Sequence, residues 1–252
     1  MKKQLDCNAL RQGFSLVELS IVLVIIGLLV GGVASLRTYV RSAQTSNLMN
    51  ESKFYISAFN QFQTRYNAPP GDYNTASSAW TGAGNGDGNG LIRATGTAPG
   101  NTAESYYAFQ HLALGGLIRG TYTGAVNGAG GATAGLNVPT TTIENGAYLF
   151  DHPDATDGIV LAGDSYYYAG TYGNVLIVAG LNANSASTPS QALLSVKQAY
   201  QLDDKYDDGV ANTGNIVMPV NAVLPNCTSS LSGAYAFPGT DERACSLILK
   251  MQ

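Results

Sequence analysis

The 252-residue sequence is 45% hydrophobic and 12% charged, enough to bury one core but little more than one domain with an appendage. Its formal net charge is −4, and Lys2, Lys3 and Arg11 are opposed only by Asp6 ahead of Phe14. A basic start on an acidic body argues against a specific nucleic-acid partner. The 30 glycines and 15 tyrosines, set among Asn, Thr, Ser and Ala, suit an extracytoplasmic protein with large polar loops better than a compact cytosolic enzyme.

Residues 14–33 (FSLVELSIVLVIIGLLVGGV) form an almost wholly apolar run. As a helix rising ~1.5 Å per residue, it reaches across the ~30 Å hydrocarbon core of a bilayer. The basic residues before it bias the leader to the cytoplasm and everything after about residue 35 to the outside. An ordinary secretory signal is cleaved after its apolar region. Here the helical pattern instead continues through Ala34, Ser35, Leu36, Arg37, Thr38 and Tyr39, with no proline before Pro69. A plain signal anchor shares that pattern, but it has no use for Glu18. An unpartnered carboxylate inside the run costs roughly 2.5 kcal/mol or more unless it snorkels to the interface.

Taken as a unit, RQGFSLVELSIVLVIIGLLVGG resembles the N-terminus of type IV prepilins and of secretion-system pseudopilins. The shared features are Gly13, then Phe14, then a carboxylate four residues on, then unbroken hydrophobicity. The resemblance implies that a prepilin peptidase cuts between Gly13 and Phe14 on the cytoplasmic side and methylates the new amino terminus. It also implies that the helix stays on, first as a lipid-embedded anchor in the bacterial inner membrane with the head outside the cytoplasm. After handling by an inner-membrane assembly platform, it becomes the core of a filament of identical or related pilin subunits. Glu18 then has a partner in the cationic amine of Phe14 on a neighbouring subunit, and removing one member of such a buried pair costs ~3–5 kcal/mol. A type IV pilus subunit and a type II secretion pseudopilin both fit. Large Gly/Asn/Thr loops lean toward the first, and acidic calcium candidates toward the second. Gly27, Gly31 and Gly32 either loosen the helix or let helices approach closely. The proline that many family members carry near this point is absent, with Ser35 in its place.

Beyond the apolar run, Leu48, Tyr55, Phe59, Phe62 and Tyr66 recur at helical steps and predict one stripe packed on a globular head. Pro69 and Pro70 stop the helix, giving about 50 residues, half membrane and half scaffold. A second helix is expected from a cap at Asn101 or Thr102 through Leu117 to Gly120. Short β-prone runs at 147–150, 158–162, 165–169 and 174–179 predict an antiparallel meander. A helix from Pro189 to about Leu202 and a last β-prone run at 215–220 follow. Residues 124–135 and 181–189 read as surface loops. The expected fold class is therefore α+β and pilin-like, a long N-terminal helix on an antiparallel sheet. The expected organisation is a leader at 1–13, a transmembrane and filament-core helix at 14–35, and a head at 36–252. Within the head, an amphipathic helix half at 36–67 precedes an α/β region at 68–252.

Cys7 leaves with the leader, so Cys227 and Cys245 remain as an even pair outside the membrane, which predicts a disulfide over two free thiols. The arrangement also resembles the C-terminal disulfide-bounded region of many pilins. No cofactor is required by the sequence, but two acidic segments are candidates for calcium. Asp203, Asp204, Asp207 and Asp208 crowd a helix C-terminus whose dipole is already negative, with Lys205 offsetting only part of the repulsion; the alternative is a solvated turn. Asn85, Asp87 and Asn89 resemble the opening of a calcium loop, but the closing Glu of an EF-hand would fall at Gly96, so a Gly/Asn turn is the competing reading.

The one enzymatic lure is Gly163-Asp164-Ser165 after a β-prone run, which resembles the nucleophile block of SGNH esterases. That family needs a late histidine, and His111 and His152 both precede Ser165. The chain is read as a structural subunit, not an enzyme.

Overall fold

The computed structural model describes residues 13–93, 104–125, 131–152, 172–181, 191–219, 227–228, 233–237 and 242–251, with the backbone alone at 33–38. Helix α1, Leu16–Tyr66, is unbroken over 51 residues. It continues through Gly27, Gly31 and Gly32, so the missing proline leaves no interruption. The chain divides into two compact units, Met1–Ala43 and Gln44–Gln252. The described part of the globular region lies in the second of these units.

In the second unit the predicted stripe is core. Leu48, Met49, Phe59 and Phe62 are buried, while Tyr55 and Tyr66 pack against them at the margin. Aromatic rings lock the helix to the head: Tyr55 lies 4.8 Å from Tyr148 and 5.7 Å from Phe109, and Phe59 lies 5.1 Å from Phe150. Buried Tyr148 donates its hydroxyl proton to Glu51 Oε2 at 2.7 Å, satisfying a group that would otherwise be costly to bury. The helix ends where Asn67 turns left-handed (φ 54°) ahead of the two prolines. Gly71 follows with φ 96°, and a Cβ there would collide with the backbone carbonyl of Glu104. The chain passes too close to the next helix for any other residue.

Helices α2 (Ala76–Ala79) and α3 (Glu104–Leu114) follow, then strands β1 (Gly146–Asp151), β2 (Val175–Gly180) and β3 (Leu194–Ser195). Helix α4 (Val196–Tyr206) precedes β4 (Ile216–Val217), β5 (Arg243–Cys245) and β6 (Leu247–Lys250). The main sheet is antiparallel with strand order β1-β2-β6-β4, and β3 pairs with β5 in a second, two-stranded sheet. The architecture is α+β, an N-terminal helix followed by a four-stranded antiparallel sheet, consistent with a pilin-like fold. It is not a simple meander, because β6 inserts between β2 and β4. Strand β1 is buried throughout, and β2 throughout except at the half-buried Ile177. That explains why both read as near-continuous apolar runs.

Two expectations are corrected. The helix expected from Pro189 starts at Val196, because Ser195 and Gln198 form a reciprocal capping box and the preceding residues are drawn into β pairing, Gln191 with Gly180 and Leu194 with Cys245. Strands β5 and β6 were not anticipated. The expected strands at 158–162 and 165–169 lie outside the described residues, as do Ser165, most of the 181–189 loop and the middle of the 124–135 loop.

Phe150 is fully buried, and its ring lies 5.0 Å from Phe109 as well as against Phe59. Phe150→Ala is expected to lower unfolding stability by ~3–5 kcal/mol in urea titration. Phe54→Ala, at a side chain 50% exposed, is expected to cost about 1 kcal/mol or less.

Candidate functional site

Gly13, Phe14 and Ser15 lie outside the helix, and Phe14 is 84% exposed. A protease must draw its substrate into an extended strand, so a bond at Gly13–Phe14 is presented without unwinding α1. Ser15 then caps the helix. Its Oγ accepts from the Val17 amide at 3.3 Å, while the Ser15 amide donates to Glu18 Oε2 at 3.1 Å. Ser15-Leu16-Val17-Glu18 has the S-x-x-E spacing of a capping box, with the Glu18 arm made and the Ser15 hydroxyl bonded to Val17 instead, a pattern visible in the sequence but overshadowed by the apolar run. Glu18 thus has a partner within its own chain.

All thirteen large apolar side chains from Phe14 to Val30 keep half or more of their surface exposed. A Cβ added at Gly27, Gly31 or Gly32 would meet nothing within 4 Å, so nothing within the chain demands these small residues. Among the described residues no helix is long and apolar enough to cross a membrane. The apolar part of α1 with described side chains, 16–32, rises ~25 Å, a little short of the ~30 Å hydrocarbon core. The anchor expectation for 14–35 thus rests on the sequence run alone.

The head holds the predicted disulfide, Cys227–Cys245, with both cysteines buried. It also holds two groups of carboxylates. In the first, Asp72, Asp87 and Glu104 bring one oxygen each within 4.8 Å of one another. Asp72 accepts the amides of Gly88, Asn89 and Gly90, and Glu104 those of Asp87 and Arg93. Asn85 accepts the Ser77 amide, Asp87 both nitrogens of Asn89, and Asn89 the Leu91 amide. The segment is thus built as a Gly/Asn turn wrapped around two buried acids. Those acids, Asp72 and Glu104, are the members that the sequence reading missed. Burial raises Asp72, with the Gly90 and Gly88 amides opposing and Asp87 adding to the rise. Burial likewise pushes Glu104 up to about 7, offset in part by the Asp87 amide.

In the second group, Asp203, Asp207 and Asp208 again lie within 4.8 Å of one another. Asp204, expected in the same set, is exposed and stands outside it. The buried face of α4 is Val196, Ala199, Leu202 and Asp203, so helical periodicity carries Asp203 into the core while Asp204 faces water. The signal was legible in the spacing but hidden by the acidic run.

Residues 8–34 match the prokaryotic N-terminal methylation motif. The chain carries the type IV prepilin signature. No curated protein and no solved structure matches it. The match covers Gly13, Phe14, Glu18 and the apolar run, and it supports a type IV pilin-like or pseudopilin-like precursor. Such a signature implies processing by prepilin peptidase and assembly with other pilin subunits. It is the signature of structural subunits.

Behind the first acidic group lies His111, buried and neutral. Its Nδ1 accepts the Gly71 amide at 2.9 Å and its Nε2 hydrogen goes to the Gly84 carbonyl at 2.8 Å, so protonating Nδ1 would break the first bond. Burial lowers it to about 4, against the pull of the Gly84 carbonyl. His111 and Glu104 act on stability with opposite signs. Between about 4.5 and 7 the folded protein holds a proton on Glu104 that the unfolded chain has released, so this group makes stability fall as pH rises through that window. Between about 4 and 6.5 the unfolded chain holds the proton on His111, so that contribution falls as pH drops. The two oppose each other in the wild type. Glu104→Gln is expected to remove one side of the balance. Relative to wild type, the variant should lose roughly 3 kcal/mol of stability between pH 7 and 4.5, read from urea unfolding at stepped pH. Parallel curves would locate the proton elsewhere.

Proposed function

We propose that this chain is the precursor of a type IV pilus subunit, cut after Gly13, methylated on Phe14, and assembled through its N-terminal helices. The observation that carries the reading is the uncovered apolar surface of α1 from Phe14 to Val30 within a prepilin signature. A surface of that size needs a cover. Before assembly the cover is lipid, with 14–35 anchored in the bacterial inner membrane and the head outside the cytoplasm. After assembly it is the helices of other subunits, where Gly27, Gly31 and Gly32 allow close approach.

The helix cap refines the role of Glu18. Within a single chain its carboxylate accepts the Ser15 amide, a contact worth about 1 kcal/mol as a cap. In a filament the same carboxylate registers against the Phe14 amine of a neighbour, where loss of one partner costs ~3–5 kcal/mol. A second reading, a pseudopilin of a type II secretion system, uses the same signature.

Substitution separates the two roles of Glu18. Ser15→Ala, which removes only the cap, is expected to leave filament yield near wild type. Glu18→Ala should keep processing and membrane insertion but abolish filaments, scored by electron microscopy of sheared surface fractions and by mass of the mature chain. The expected mass begins at Phe14 with one added methyl group. Normal filament yield from Glu18→Ala would overturn the registration role. Absence of surface fibres, together with a secretion defect in a deletion strain, would favour the pseudopilin.

A further inference from the structure

Two surfaces of the second unit stand open to solvent and differ in kind. The first is an aromatic corner between α4 and the disulfide-bounded region. Phe237 is 62% exposed, more than any other large apolar side chain described beyond Ala43. Its ring stands nearly perpendicular to that of Tyr200, 5.5 Å away, and Tyr200 is itself exposed on α4. Tyr235 packs against both rings and donates its hydroxyl proton to Asp203 Oδ2 at 2.6 Å. The Ala236 amide donates to the carbonyl of Cys227, which is bonded to Cys245. The corner is thus anchored by ring and backbone contacts, and an anchored aromatic loses little freedom when it docks.

The second surface is a groove of about 680 Å³ beside the outer face of α1. Along the helix its lining runs from Lys53 to Arg65, ~18 Å. Ile56 and Leu117 give it apolar surface, each packed against the core on its other side. The remaining lining is hydroxyl and amide side chains of α1. Among the described residues no carboxylate lines it, although the chain has 17 acids against 13 Lys and Arg. Both cations are held by uncharged groups. Lys53 lies over the Tyr206 ring at 4.7 Å; Arg65 lies over the Tyr66 ring at 5.4 Å and reaches the Gly115 carbonyl at 3.4 Å.

We infer that Phe237 and Tyr200 of one copy seat in the α1 groove of a second copy, and that this contact joins successive heads of the filament. Each surface supplies what the other lacks. An exposed aromatic corner is covered best by a hollow with apolar surface, which Ile56 and Leu117 provide. Asp204, exposed and four residues beyond Tyr200, shares the outward face of α4 with it. It brings a carboxylate to a groove that has two cations and no acid of its own. Lys197 stands three residues before Tyr200, so the contact has a direction, with the Asp204 side turned toward Lys53 and Arg65. The two surfaces share no residue. A contact between unlike surfaces of identical chains, repeated without closing into a ring, builds an open helical array, which is the symmetry a filament needs. The inference rests on the filament reading and adds to it a contact between heads, outside the apolar stretch of α1.

The test places the photocrosslinker p-benzoylphenylalanine at position 237 of the full-length chain in cells, an aromatic replacement at an exposed site. After irradiation, inner-membrane and sheared surface fractions are separated by size and the adducts mapped by mass spectrometry. The expected result is a ladder of dimers and higher multiples, with adducts at residues 53–65 or Leu117 of a second copy. Lys53→Glu together with Arg65→Glu should weaken the ladder about tenfold or more, and Asp204→Lys added to that pair should restore it. If the double reversal fails to fold, the adduct map alone decides. A ladder indifferent to the reversal would overturn the inference, as would no ladder, or adducts on any other segment or on a different protein. Fibres at normal yield without groove adducts would refute this contact and leave the filament reading standing. Processed chain that makes no fibres counts against the filament reading, and the membrane fraction then decides the contact by itself.

Discussion

Thirteen apolar side chains stand on one helix with at least half their surface bare, and no compact monomer in water tolerates that. At ~1.5 kcal/mol or more for each large side chain fully covered, the free energy at stake is on the order of 20 kcal/mol, an upper estimate. That exceeds the net stability of most whole domains. The arrangement has only two kinds of solution, an apolar solvent or an apolar neighbour. The prepilin signature names both in sequence, lipid first and sister helices afterwards. Every other feature of the N-terminus follows from the exchange of one for the other. A cut at the exposed, non-helical Gly13–Phe14 bond would leave the helix whole, and the absence of steric demands at its glycines leaves room for close contacts. On the proposed reading, the cap at Ser15 would keep the helix formed while Glu18 changes partners.

The head meets a different constraint, which is to grip the second half of the same helix. It does so with rings, Tyr55, Phe59 and Phe62 against Phe109, Tyr148, Phe150 and His111. The polar groups drawn into this interior are matched: Tyr148 to Glu51, and His111 between the Gly71 amide and the Gly84 carbonyl. A neutral histidine used as a two-ended backbone bridge places the chain after the two prolines against α3. That explains why Gly71 must come so near Glu104 and why Asp72 and Glu104 end up buried beneath the 84–90 turn.

Much of this was readable in advance. The long helix, its stripe and its stop came from periodicity and two prolines, and β1 and β2 from β-prone runs that proved buried. What failed has physical reasons. The start of α4 was placed at a proline, the commoner punctuation, while Ser195 and Gln198 held the stronger reciprocal cap. Strands β5 and β6 were missed because short runs such as Arg243–Cys245 and Leu247–Lys250 acquire their β character from pairing rather than from local preference. In the acidic run, sequence weighed four charges equally, whereas the three-and-four spacing from Val196 singles out Asp203. Asp72 and Glu104 could not be paired in advance, since their meeting depends on a turn 17 residues away in one case and on the path between α2 and α3 in the other.

The position of β6 in the sheet governs the order of events during synthesis. Leu247–Lys250 is the latest of the described elements to emerge, yet it is the rung between β2 and β4. Until it arrives, β2 has one bare edge and β4 has no neighbour in that sheet, so the inner strands cannot close, however early they are made. Such long-range pairing is slow in any chain. Here it has a further effect, because the greasy helix is the first element to leave the ribosome and the sheet the last to lock. A chain interrupted before residue 247 would lack the rung between β2 and β4 and keep an open edge at β2.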